Sequence, residues 1–349
     1  MQKLMKPVRL SPGDKIAAVS SSAGLAGALP YRYKTGKQQL ENQFGLTVVE
    51  MKHTLKDLEW VKKNPKARAE DLMEAFADPS IKGIISTIGG DDSIRMLPYL
   101  DLNIISANPK VFVGYSDTTV SHLCCCKAGI TSFYGPGIMA NFAENQGIFP
   151  YVAEYFTKAV LSPDAIGEIK DSDVWTNEFL DWFNPDNQLI KRRLQKSDGR
   201  KLLQGSGVIK GRLFGGCIQT LITLNGTALW PGETGWDDSL LFLEVAETQL
   251  PRNIFEYFLR SLGTQEIWDK ARGIIFGIPG GQKIEAEFLG YENALRKIIG
   301  DEYGRSDMPI LSRMNFGHTD PVFTIPYGVE AEIDCERKSF TIIESGVVS

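Results

Sequence analysis

Short apolar runs alternate with segments of helical periodicity through the first half of the chain. Lys15-Ile-Ala-Ala-Val-Ser20 predicts a strand, followed by a small-residue loop from Ser21 to Gly27. Tyr31 to Phe44 predicts a helix and Leu46 to Glu50 a strand. Lys66 to Asp78 predicts a helix with Leu72, Met73 and Phe76 on one side. Ile81 to Ile88 predicts a strand that ends in Gly89-Gly90-Asp91-Asp92, and Ser93 to Leu97 a short helix stopped near Pro98. Val111 to Val113 is a further strand. Gly114-Tyr-Ser-Asp117 turns sharply after it, and Thr118 to Lys127 continues as a helix. Tyr151 to Leu161 closes this part. Strands alternating with helices predict an α/β fold with a parallel sheet, of the Rossmann or flavodoxin-like kind.

The texture then changes. Residues 162–205 are polar and contain Pro185, Trp175, Trp182, Phe183 and the basic run Lys191-Arg-Arg193. The aromatic residues argue for a structured linker or lid rather than disorder. Beyond it, Gly207 to Phe214, Ser239 to Val245, Gly273 to Gly277 and Pro309 to Ser312 predict strands. Cys217 to Leu224, Asn253 to Leu262 and Glu285 to Ile299 predict helices. Val322 to Ile325 and Val329 to Ile343 alternate as antiparallel hairpins do. The expected organisation is an N-terminal α/β domain over 1–165, a linker or lid over 166–205, and a C-terminal domain of mixed, barrel-like β structure over 206–349.

Composition narrows the class. The chain has 349 residues, 43% hydrophobic and 23% charged, with a net charge of −5. That balance gives no reason to expect a nucleic-acid polymer as partner. No apolar run is long enough to span a bilayer, and the start lacks the apolar core of a signal peptide, so no membrane association and a cytoplasmic location are expected. The five cysteines, three of them consecutive at Cys124 to Cys126, lack both the pattern of a disulfide framework and the spacing of a metal site. No metal or cofactor is expected.

The strand, turn and helix around Ser116 have the form of a nucleophile elbow, which lifts a hydroxyl off a sheet beside the free N–H groups of a helix start. The fit is imperfect, because Thr118 stands where the usual pattern has glycine. A serine nucleophile needs a base, commonly histidine, and a carboxylate to orient it. There are three histidines. His122 lies on the helix that follows Ser116, ~9 Å further along its axis. His53 follows a strand end and reads as a surface residue. His318 sits in the loop Asn315-Phe-Gly-His-Thr-Asp-Pro321 just past a strand, where sheets display functional groups. For the carboxylate, Glu244 ends an apolar strand and Glu247 competes three residues on. Asp117 N–H and the backbone at Gly89-Gly90 are candidate oxyanion donors. The alternative is a non-catalytic module that binds a small anion or nucleotide at Gly-rich strand ends.

Six segments in order along the chain resemble the LD-carboxypeptidase family of serine peptidases: Gly13 to Ser20, Ser86 to Gly90, Val113 to Asp117, Gly211 to Gly216, Leu241 to Glu244 and Asn315 to His318. The resemblance implies a Ser-His-Glu triad at Ser116, His318 and Glu244, an oxyanion hole at the Gly90 and Asp117 amides, and a homodimer. One branch of the family trims D-alanine from murein tetrapeptides. The other includes the microcin C self-immunity proteins, which cleave amides joining an acidic amino acid to a nucleotide. The long insert and Ser86-Thr-Ile-Gly-Gly90 resemble the second. The substrate then implied is an aminoacyl-nucleotide or small peptide, with Gly89, Glu247 and Trp182 or Trp175 as binding residues, an indole face suiting a base.

Overall fold

A computed structural model describes residues 3–248, 250–281 and 284–349. The first part contributes β1 (Lys15–Val19), β2 (Thr47–Glu50), β3 (Ile81–Ser86), β4 (Val111–Gly114) and β5 (Phe133–Tyr134). The middle contributes β6 (Gly167–Glu168), β7 (Val174–Trp175), β8 (Gln195–Lys196) and β9 (Lys201–Gln204). The rest supplies β10 (Val208–Cys217), β11 (Ser239–Glu244), β12 (Gly273–Gly277), β13 (Ile310–Met314), β14 (Ile325–Pro326), β15 (Glu330–Asp334) and β16 (Ser339–Ile342).

Two larger sheets result. The first has the order β14-β5-β4-β3-β1-β2, with β1 to β5 mutually parallel and β14 antiparallel at the edge. The apolar runs of its inner strands are fully buried: Ile16 to Ala18, Ile84, Ile85 and Val111 to Val113 have no exposed surface. Such runs suit a sheet covered on both faces. The second sheet is mixed, with the order β6-β16-β15-β10-β11-β12-β13-β9. Strands β10 to β13 run parallel, and the end strands are β6 and β9.

Three departures from the sequence pattern matter for the site. Gly215 and Gly216 do not end a strand. They lie inside β10 at φ of 155° and 139°, and a Cβ on Gly215 would sit 1.8 Å from the Phe242 carbonyl oxygen. Only glycine lets β10 and β11 approach this closely. Segment 322–326 does not form a hairpin with the tail. It crosses back, and β14 pairs with β5 at Ile325↔Tyr134, fastening the far end of the chain to the first sheet. Finally, the insert does not merely link: β6 and β9 are the two end strands of the second sheet, with the hairpin β7–β8 between them. Among the described residues, no helix is long and apolar enough to cross a membrane.

Candidate functional site

Strand β4 runs into a tight turn. Ser116 opens a 3₁₀ turn over Ser116–Thr118, and a helix follows over Thr119–Lys127. Its φ is 63°, in the left-handed region that non-glycine residues rarely enter. Such strain persists only where surrounding contacts fix it. Here Thr118 and Thr119 hydroxyls donate to the Tyr115 and Ser116 carbonyls, and the Ser116 amide donates to the Tyr134 hydroxyl at 2.9 Å.

The second sheet delivers two further groups to this turn. Glu244 ends β11 and is fully buried; His318 lies in the loop after β13. Ser116 Oγ lies 2.9 Å from His318 Nε2, and His318 Nδ1 lies 2.7 Å from Glu244 Oε2. Glycines make room for the line. A Cβ on Gly317 would stand 2.8 Å from Glu244 Oε2, one on Gly280 2.5 Å from His318 Cβ, and one on Gly89 2.8 Å from Ser116 Cβ. Glu247 approaches His318 from the other side, its Oε2 3.3 Å from Nε2, with 63% of its side chain exposed. Glu244 and Glu247 therefore do different things: the buried one holds Nδ1, and the exposed one faces the nitrogen turned toward Ser116.

Burial pushes the His318 imidazole down. The nearby carboxylates Glu244, Glu247 and Asp320 outweigh that effect and leave it above the ordinary histidine range.

The loop after β3 lies against the turn. Gly90 has φ 151°, and a Cβ there would meet Ser22 Oγ at 2.4 Å. Asp117 directs its carboxylate away from Ser116. Oδ2 accepts from Ser22 Oγ at 2.5 Å, Asp92 N at 3.0 Å and Ser93 N at 2.7 Å, so it caps the 3₁₀ helix Ser93–Tyr99 and binds the glycine loop to the turn. That helix carries Pro98 inside it rather than stopping before it. Among the described residues, neither the Gly90 nor the Asp117 amide N–H has a hydrogen-bond acceptor.

The other candidates sort by position. His122 is fully buried on the far side of the elbow. Its Nε2 lies 2.8 Å from the Gly114 carbonyl and its Nδ1 2.9 Å from Ser132 Oγ. Burial drives this imidazole down to about 3, so it is a neutral brace. His53 is not a free surface residue: its Nδ1 lies 2.8 Å from Asp71 and its ring stacks on Trp60. Trp182 is half-buried beneath the Arg32 guanidinium, whose carbon lies 3.9 Å from the ring centroid. Trp175 packs edge-on to Phe288 at 5.8 Å. The next residue, Thr176, pairs with Asp320 in both directions, which ties the insert two residues from His318. Arg192, from the basic run, bridges Glu144 and Asp320.

Tyr134 escaped the sequence reading. It sits in a buried two-residue strand, and its phenol donates to Glu244 Oε1 at 2.5 Å. A tyrosine in an apolar run signals a polar tip that needs a partner, but not which partner. Among the described residues, no group of three or more His, Cys, Asp or Glu side chains could hold a metal ion.

Comparison with known proteins agrees with this architecture. The LD-carboxypeptidase N-terminal domain matches residues 16–135, and the LD-carboxypeptidase C-terminal domain matches residues 210–333. The chain is similar to the microcin C7 self-immunity protein MccF of Escherichia coli, 30% identical over 338 residues, 96% of this chain and 94% of that one. It is similar to the crystal structure of an MccF-like protein from Streptococcus pneumoniae in complex with AMP. That likeness has a TM-score of 0.85 and 33% identity, and covers 94% of this chain and 98% of that one. A structure of MccF in complex with aspartyl sulfamoyl adenosine matches with a TM-score of 0.84 and 28% identity over 98% of this chain and 99% of the other. On this agreement across both halves, the chain belongs to the LD-carboxypeptidase family of serine carboxypeptidase-like hydrolases, on its MccF-like side.

Proposed function

We propose that this protein hydrolyses an amide bond through a Ser116-His318-Glu244 triad and an acyl-enzyme, and that its substrate is an acidic aminoacyl-nucleotide amide. One observation carries the reading: the unbroken line from Ser116 Oγ through both ring nitrogens to a fully buried carboxylate, at 2.9 and 2.7 Å. His318 Nε2 takes the hydroxyl proton as Ser116 Oγ attacks the carbonyl carbon. Glu244 holds Nδ1–H and stabilises the imidazolium. The oxyanion takes hydrogen bonds from the Gly90 and Asp117 amides. Collapse of the tetrahedral intermediate breaks the C–N bond, and His318 returns the proton to the departing nitrogen. Water, deprotonated by His318, then releases the acid. No metal or cofactor is invoked.

The substrate class rests on the similarity to MccF, solved with aspartyl sulfamoyl adenosine, and to the relative solved with AMP. In this reading residues 166–205 form a lid, Trp182 or Trp175 meets the base, and Gly89 and Glu247 line the acyl side. The test is turnover by the purified protein of an aspartyl-adenylate amide analogue and of a murein tetrapeptide ending in D-alanine, with Ser116→Ala alongside. Cleavage of the nucleotide amide by the parent and not by the alanine variant is expected. Cleavage of the murein peptide alone would move the chain to the other substrate class. Nucleotide binding with no turnover of either would favour a binding module, and full activity in Ser116→Ala would exclude the serine.

A further inference from the structure

We infer that Tyr134 is a positioning residue that sets the proton affinity of His318 and fixes the nucleophile's backbone, an inference that rests on the triad reading above. Its phenol touches both ends of the hydrogen-bonded line. It lies 2.5 Å from Glu244 Oε1, the oxygen that His318 does not use, and 2.9 Å from the Ser116 amide nitrogen. A hydroxyl has one proton to give. The Ser116 N–H can only donate, so the phenol accepts from Ser116 and gives its own proton to the carboxylate. The direction of both Tyr134 hydrogen bonds is thereby fixed, from the Ser116 amide to the phenol and from the phenol to Glu244.

Topology puts the residue there. Tyr134 is paired with Gly114 across β4 and β5 and with Ile325 across β5 and β14, and its ring packs against Phe242 of β11 at 5.4 Å. It is 1% exposed, and burial first and Glu244 second hold its hydroxyl far above the ordinary tyrosine range, so it stays a donor at any working pH. Two consequences follow. The Ser116 backbone is held at its left-handed φ of 63° by a bond that a plain turn lacks. Glu244 divides its hydrogen bonding between the phenol and the imidazole, so less of its negative charge is directed at His318 Nδ1.

With three histidines in the chain, the ring nitrogens of His318 can be followed by ¹⁵N NMR across a pH titration. Tyr134→Phe keeps the ring and removes the hydroxyl. The expected result is a His318 titration displaced upward by about one pH unit, with kcat lowered about a hundredfold and KM nearly unchanged. Fluorotyrosine at position 134 is a stronger donor in the same shape. It should displace the titration downward, and it keeps the test open should the phenylalanine variant fail to fold. A His318 titration unmoved in both variants would overturn the inference. Turnover by Ser116→Ala reports separately on the triad: a live alanine variant sinks the triad reading, whereas a dead one with unmoved Tyr134 variants sinks only the role given to Tyr134.

Discussion

Arg32 covers one face of the Trp182 indole, its guanidinium carbon 3.9 Å from the ring centroid. The same guanidinium donates to Met139 O at 2.7 Å and Gln188 Oε1 at 2.7 Å, so one buried cation joins the first domain's helix Pro30–Phe44 to the insert. A base stacking on Trp182 must use the opposite face. Arg32→Ala removes a buried, hydrogen-bonded charge, a loss of about 2–4 kcal/mol. It should free the insert and speed tryptic cleavage at Lys191 to Arg193, followed by mass spectrometry. Trp182→Ala should weaken AMP binding by about 1–3 kcal/mol in calorimetry, and unchanged affinity would remove Trp182 from the proposed base site.

Glu244 and Glu247 are separable by substitution. Glu244→Gln, at the Nδ1 side, should lower kcat about ten-thousand-fold while the protein remains folded. Glu247→Gln should leave kcat within about tenfold. The reverse ranking in steady-state assays would make Glu247 the orienting acid.

The acid limb of kcat/KM should lie above the ordinary histidine value of 6.5, because His318 is held up by its carboxylate neighbours against burial. Activity rises as pH climbs through that value. The sign for stability is opposite: the raised group stabilises fully below about 6.5, and this contribution is lost as pH rises through the folded value. Glu247→Gln should move the limb to lower pH.

His122 works in the other direction. Buried and held down to about 3, it binds no proton in the folded state where the unfolded chain would protonate it. Stability should fall as pH drops from about 6.5 toward 3, by up to about 1.4 kcal/mol per pH unit. In urea melts across that range His122→Gln should flatten the slope by about one proton.

Gly317 sits at φ 94° with Glu244 Oε2 2.8 Å from where a Cβ would be. Gly317→Ala should displace the carboxylate, lowering kcat more than tenfold with a modest loss of Tm. An alanine variant with parental kcat would show that the Glu244 position tolerates a shift.

The elbow, the strand-end Glu244 and the loop His318 were legible because each sits where a local pattern changes: strand to turn, apolar run to carboxylate, strand to glycine loop. The α/β alternation was legible for the same reason. What escaped the pattern is non-local. Tyr134 takes its meaning from Glu244, 110 residues away. Segment 322–326 alternates like a hairpin, yet it joins β5 because pairing partners are not written in alternation. His53 follows a strand end and so looked exposed, but Asp71, 18 residues on, takes its ring. Gly215-Gly216 resembled a strand end because the closeness of β11 could not be seen from β10 alone.

Strand β14 lies downstream of every residue assigned to the site, and it closes the first sheet over Tyr134. During synthesis, Ser116 emerges from the ribosome 202 residues before His318, and β5 stays an open edge until Ile325 has emerged. A partly made chain therefore has the proposed nucleophile without its base. In the proposed mechanism, hydrolytic competence is therefore gained only after His318 has emerged, late in synthesis and close to completion of the first sheet.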